Sequence, residues 1–164
     1  MDGKVYNVLF ICTGNSARSI LAEALLNHAG KGRFKAYSAG SHPTGVVNPH
    51  ALQALRNMGV SVSGARSKSW DEFALAEAPP MDFVVTVCDN AAGEVCPVWP
   101  GRPMTAHWGL ADPASVKGSE EEVRLAFRDA AVTMKRRVDL MLALPLCTLD
   151  VMAIQRQVRD IGSR

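Results

Sequence analysis

The chain has 164 residues, enough for one domain built around one core. Hydrophobic residues make up 48% and charged residues 21%, an ordinary balance for a folded soluble protein. A net charge of +2, with a pI near 8.4 and scattered basic residues, is too weak to argue for nucleic acid or a membrane surface.

In chain order, "MDGKVYNVLFICTGN" carries an apolar run straight into a turn, with no small-residue cleavage pattern, and is predicted as a first strand rather than a signal peptide. No stretch is long and apolar enough to span a bilayer, so a cytoplasmic protein is expected. Ile20, Leu21, Ala24, Leu25 and Ala29 then repeat at helical spacing, and Gly30 stops that helix. "FKAYSAG" is a short second strand. Asn48 caps a second helix with Pro49 in its first turn, and Leu52, Leu55 and Met58 form its apolar face. "VSVSGARSKS" is a polar connection, and "WDEFALAEA" is predicted as a short helix closed by Pro79 and Pro80.

"MDFVVTVC" is the most strand-like run, rich in β-branched residues and ending at Cys88. Residues 89–103 are predicted as a long Gly/Pro-rich loop. "MTAHWGLADPA" reads as a fourth short strand and its exit loop. Ser119 and Glu122 form a capping box, followed by a long amphipathic helix through Val123, Phe127, Ala130, Met134, Val138 and Met141 to about Leu144. A last helix is predicted over residues 149–161. Strands alternating with helices imply an α/β fold: a single domain over residues 1–164, with a four-stranded parallel sheet covered by helices on both faces. Such sheets bind ligands at the carboxyl ends of their strands, where Cys12, Cys88 and Asp112 all fall.

The stretch "FICTGNSARSI" combines a strand end, a cysteine, a Gly turn, Arg-Ser and a helix start. A thiol attacks only as thiolate, and cations and helix N-termini favour that form. Backbone amides of a loop of small residues make a concave anion site, residues 13–19 here: Thr13, Gly14, Asn15, Ser16, Ala17, Arg18 and Ser19. Gly14 is expected to take a backbone conformation that other residues resist. Arg18 presents a planar fork to two oxyanion oxygens, Ser19 can donate to a thiolate, and Asn15 can brace the loop. The alternative, a structural turn holding a buried cysteine, explains Cys12 but not Arg18 and Ser19.

"CTGNSARS" resembles the phosphate-binding loop of the low-molecular-weight protein tyrosine phosphatase superfamily, and the likeness extends through "AEALLNHAG", "YSAG" and "LADPA". The resemblance implies Cys12 as nucleophile and Arg18 as oxyanion binder. It makes Ser19 the thiolate partner, Asn15 the loop brace and Asp112 the general acid, in a loop fixed by Pro113. Ala17 stands where many members carry a second cysteine, and Ala114 where phosphatases often place an aromatic residue.

"VTVC…CP…HWG…DPA" is similar to the arsenate reductase branch of that superfamily, which adds two redox thiols. That likeness implies a relay. Cys12 attacks arsenic, Cys88 attacks Cys12 as arsenite leaves, and Cys96 attacks Cys88 to free Cys12. No cofactor is expected to stay bound. An external thiol reductant, thioredoxin or glutathione with a glutaredoxin-like protein, would recharge the enzyme, whose substrate is an arsenate- or phosphate-type oxyanion. The readings set against this are a phosphatase using Cys12, Arg18 and Asp112 alone, and a non-enzymatic oxyanion sensor. A buried Cys88 and an incidental Cys96 would be their counterpart. Zinc is disfavoured by the spacing of Cys88 and Cys96, and no metal is expected. Some members of the branch hold potassium beside the loop at positions matching Asn15, Glu23 and Ser38. Arg66 and Lys68 bring positive charge there, raising the potential of the cleft. Cys147 is expected to be a small buried hydrophobe, and the protein a monomer.

Overall fold

A computed structural model describes residues 4–88 and 103–164. Four strands, β1 (Tyr6–Cys12), β2 (Phe34–Gly40), β3 (Phe83–Thr86) and β4 (Met104–His107), form one parallel sheet in the order β2-β1-β3-β4. The chain leaves β1 for one side and returns across it to β3 on the other. The crevice this opens at the carboxyl ends of β1 and β3 is where open α/β sheets receive ligands. Cys12 ends β1, and Cys88 lies two residues past β3.

Val8, Leu9, Phe10 and Ile11 are all fully buried. Successive strand side chains point to opposite faces, so both faces of β1 are covered. Four helices supply the cover: α1 (Arg18–Ala29), α2 (Pro49–Asn57), α3 (Glu120–Leu142) and α4 (Val151–Ile161). The first three pack on one another, and α4 packs on β4, where Trp108 donates Nε1 to Val158 O at 2.9 Å. Among the described residues no helix is long and apolar enough to cross a membrane.

The caps follow the sequence. The side chain of Asn48 accepts from His50 N, with Pro49 in the first turn, and Ser119 and Glu122 form a reciprocal capping box. Three elements differ from expectation. "WDEFALAEA" makes only a single 3-10 turn, Trp70–Phe73, capped by Ser69; Phe73 is its one buried residue, meeting Tyr37 edge-on at 5.5 Å. One buried anchor, with Trp70 and Ala74 only partly covered beside it, gives too little burial to sustain a helix. The last helix begins at Val151 because Asp150 caps it, accepting from Ala153 N at 2.8 Å. Cys147 is exposed, not buried. It sits in a tight turn, with Thr148 N bonded to Pro145 O, and the inward position there belongs to Leu146.

Candidate active site

The cradle follows β1 directly. Cys12 is 4% exposed and Asn15 fully buried. The left-handed backbone that tightens this loop belongs to Asn15, at φ 45°, and not to Gly14 as the sequence suggested. Asparagine tolerates this region better than most residues, and the conformation here is held from outside. Asn15 Oδ1 accepts from Lys68 N at 2.9 Å, and its Nδ2 donates to Ser19 Oγ at 2.7 Å. Gly14 matters for close approach: its carbonyl accepts from Thr44 N and Ser67 Oγ, and a Cβ would stand 3.3 Å from the Thr44 methyl. Gly40 is tighter still, since a Cβ there would lie 2.5 Å from Thr13 O. Residue 40 must therefore be small for the loop to sit on the end of β2. Helix α1 starts at Arg18 after Ala17, which offers no side-chain cap, and has no acid in its first turn. Its leading amides and positive dipole end are thus left to an anion.

The second wall is the segment after β4. It is laced to β3 by Trp108 N donating to Thr86 O at 2.7 Å and Leu110 N donating to Val87 O at 3.1 Å. Arg18 Nη1 donates to Leu110 O at 2.9 Å, and Nη2 lies 3.8 Å from Asp112 Oδ2. A guanidinium has five N–H groups, so most of the fork remains for an oxyanion. Asp112 caps a 3-10 turn, Pro113–Ser115, its Oδ1 accepting from Ala114 N at 2.9 Å. This leaves Oδ2, on a 42% exposed side chain, over the cradle. Arg137 of α3, 7% exposed, donates Nη1 to Trp108 O and Gly109 O at 2.9 and 3.0 Å and ties the segment to the core.

Cys88 brings a second sulfur to the base of the cradle. It is 2% exposed, and its Sγ accepts from Thr13 N at 3.2 Å. Its thiol is also hydrogen-bonded to that of Cys12. This changes the acidity argued from sequence. The Cys88 hydrogen bond, and then burial, push the Cys12 thiol well above the usual thiol range, outweighing Arg18 and the Gly14 amide, which pull it down. Two adjacent sulfurs cannot readily both ionise, so at most one of the pair is a thiolate at a time. Replacing Cys88 by Ala removes the largest raising influence. The pH midpoint for iodoacetamide alkylation of Cys12, mapped by mass spectrometry with exposed Cys147 as the internal reference, is expected to move down. An unmoved midpoint would mean that burial alone sets it.

The structure thus brings together Cys12, Thr13, Gly14, Asn15, Ser16, Ala17, Arg18, Ser19, Cys88 and Asp112 at one end of the sheet. Cys96 lies outside the described residues. Sequence reading missed the supporting contacts of Gly40, Leu110 O and Arg137. The "YSAG" stretch and the arginine within an apolar helix face were the available signals. Of the two bases near the cradle, Arg66 turns outward to Glu72, donating to both its carboxylate oxygens at 3.1 and 2.7 Å. Only Lys68 turns in. Among the described residues no cluster of three His, Cys, Asp or Glu side chains could hold a metal ion.

The family model for low molecular weight phosphotyrosine protein phosphatase matches residues 7–152. An arsenate reductase of Halalkalibacterium halodurans is 38% identical over 138 residues, covering 84% of this chain and 94% of that protein. Among solved structures, an arsenate reductase in its phosphate-binding state aligns with a TM-score of 0.65 at 25% identity, over 84% of this chain and 97% of the other. A thioredoxin-dependent arsenate reductase of Corynebacterium glutamicum aligns with a TM-score of 0.56 at 29% identity, over 85% of this chain and 65% of the other.

Proposed function

The chain belongs to the low molecular weight phosphotyrosine protein phosphatase family, and we propose that within it the protein is an arsenate reductase working through Cys12, Cys88 and Cys96. The observation that carries this reading is the Cys12–Cys88 apposition. A phosphatase needs one nucleophile, and a second thiol hydrogen-bonded to it serves no hydrolytic step. A reductase needs two electrons, and a neighbouring thiol is the shortest source of them.

Arsenate, a tetrahedral oxyanion like phosphate, is received by the loop amides and the Arg18 fork. Cys12 gives up its proton and attacks arsenic, while Asp112 protonates the departing oxygen, which leaves as water. Ser19, whose Oγ already accepts from Asn15, keeps its own proton to donate to the Cys12 sulfur. Cys88 as thiolate then attacks Cys12 Sγ. The As–S bond breaks with its electron pair staying on arsenic, so As(V) becomes As(III) and a Cys12–Cys88 disulfide forms. Cys96 attacks Cys88 Sγ, releasing the Cys12 thiolate and leaving Cys88–Cys96. Two thiols are oxidised for one arsenate reduced, and no further reductant enters until that disulfide is recharged. An external thiol reductant does this, thioredoxin or a glutathione/glutaredoxin couple. Hydrolysis of phosphate esters through Cys12, Arg18 and Asp112 is a side activity of the same cradle.

The test uses fully reduced protein with arsenate and no added donor. About one arsenite per chain is expected, with a Cys88–Cys96 linkage by mass spectrometry. No arsenite, with a phosphate ester hydrolysed instead, would make the protein a phosphatase.

A further inference from the structure

The wall that meets Arg18 is held from behind by a second arginine. Arg137 is buried on α3 within an otherwise apolar face, beside Ala130, Met134, Val138 and Met141. Among the described residues its Nε is buried without a hydrogen-bond partner, and no carboxylate pairs with it. A buried, unpaired guanidinium is costly, and packing alone would be better served by an apolar side chain. Its Nη1 shows what offsets that cost. It donates to two successive carbonyls, Trp108 O at 2.9 Å and Gly109 O at 3.0 Å. The next carbonyl, Leu110 O, is the one that accepts from Arg18 Nη1 at 2.9 Å.

Both ends of this segment are anchored independently. Trp108 is fully buried, with its amide donating to Thr86 O and its Nε1 to Val158 O. Asp112 caps its own 3-10 turn through Ala114 N. Between them stands Gly109, the residue type with the widest choice of backbone conformations. Gly109 O and Leu110 N share one peptide plane, so that plane is held at both edges, by Arg137 and by Val87 O. Its orientation sets the direction in which the Leu110 carbonyl leaves.

We propose that Arg137 is a positioning residue for oxyanion binding. By holding the Trp108 and Gly109 carbonyls it fixes the peptide plane before Leu110, keeps Leu110 O on Arg18, and so aims the Arg18 fork into the cradle. Its bonds are to the wall, and it acts on the anion through Arg18. Two arginines thus divide three successive carbonyls. The buried one takes two, and the one at the cradle takes the third and keeps its remaining N–H groups for the anion.

This proposal rests on the oxyanion cradle of the preceding section, so wild-type protein is tested first, for protection of Cys12 from iodoacetamide by inorganic phosphate. No protection of the wild type sinks the cradle itself. With protection established, Arg137→Met, which keeps a similar side-chain volume without the donors, is expected to lose about 10–100-fold in phosphate affinity. kcat/KM should fall by a similar factor for aryl and alkyl phosphates alike. The deciding comparison is a cycle with Arg18→Lys, read by the same protection. Once the fork is gone, Arg137→Met should cost little further affinity, whereas a residue that only supports the fold costs the same in both backgrounds. Should Arg137→Met fail to fold, Arg137→Gln, which keeps a donor on a shorter stem, enters the same cycle. Wild-type phosphate affinity in the folded variant, or additive losses in the cycle, would overturn the proposal and leave the cradle standing. A turnover loss confined to poor leaving groups would overturn it too, placing Arg137 behind Asp112 instead.

Discussion

Cys88→Ser is expected to abolish arsenite formation in a single turnover, from about one per chain to background, while the protein still binds phosphate and hydrolyses a phosphate ester. Serine keeps nearly the size of cysteine and can still accept from Thr13 N, so the loop that Cys88 supports at 3.2 Å stays in place. What is lost is a sulfur able to attack sulfur. Arsenate still reaches Cys12, but the adduct has no electron pair to receive and returns to arsenate by hydrolysis. Coupled measurement of the two activities separates the readings. Loss of both would mean that Cys88 only shapes the cradle. Arsenite at wild-type yield would place the reducing thiol elsewhere and remove Cys88 from the relay. The contrast is large because it concerns the presence or absence of a reaction partner, not the strength of a contact.

The parts of this site that sequence reveals are those the chain keeps local. Cys12, Arg18 and the start of α1 lie within one turn of chain, so strand end, loop and helix start can be read as a unit. Asp112 is legible from its Asp-Pro pair at the exit of an apolar run. The parts that sequence hides come from residues far apart in the chain. The hydrogen bond from Thr13 N to Cys88 spans 75 positions, and nothing in "VVTVCDN" says that its cysteine will touch Cys12 and raise its pKa rather than leave Arg18 to lower it. The bond from Lys68 N to Asn15 spans 53. It explains why the strained position falls on Asn15: the carboxamide has partners on both sides, from Lys68 and to Ser19, that a glycine would lack. The error at "WDEFALAEA" has a related source. Helix-favouring residues were present, but only Phe73 is buried, with Trp70 and Ala74 partly covered at the edge of the core. Cys147 was misjudged because its apolar neighbours are also the neighbours of Leu146, and a turn admits one of them.

Asp112→Asn is expected to lower kcat/KM for arsenate reduction by about 10²–10⁴-fold, the range a positioned general acid supplies. The amide can still bond to Ala114 N through its oxygen, as Oδ1 does at 2.9 Å, so the 3-10 turn and the cap survive. It cannot give up a proton to a leaving oxygen. For arsenate that oxygen departs as water, which without protonation would be hydroxide, a poor leaving group. The size of the loss should therefore depend on what leaves. An aryl phosphate with an acidic phenol needs little protonation and should lose much less than arsenate or an alkyl phosphate, all measured on the same variant. Equal losses on all substrates would instead assign Asp112 to holding Arg18, which it faces at 3.8 Å. In that case phosphate affinity should fall in parallel with turnover, since the fork that receives the anion would have lost its partner. Unchanged phosphate affinity with a leaving-group-dependent loss is the signature of an acid, because the proton it supplies is needed only as the bond to the departing oxygen breaks.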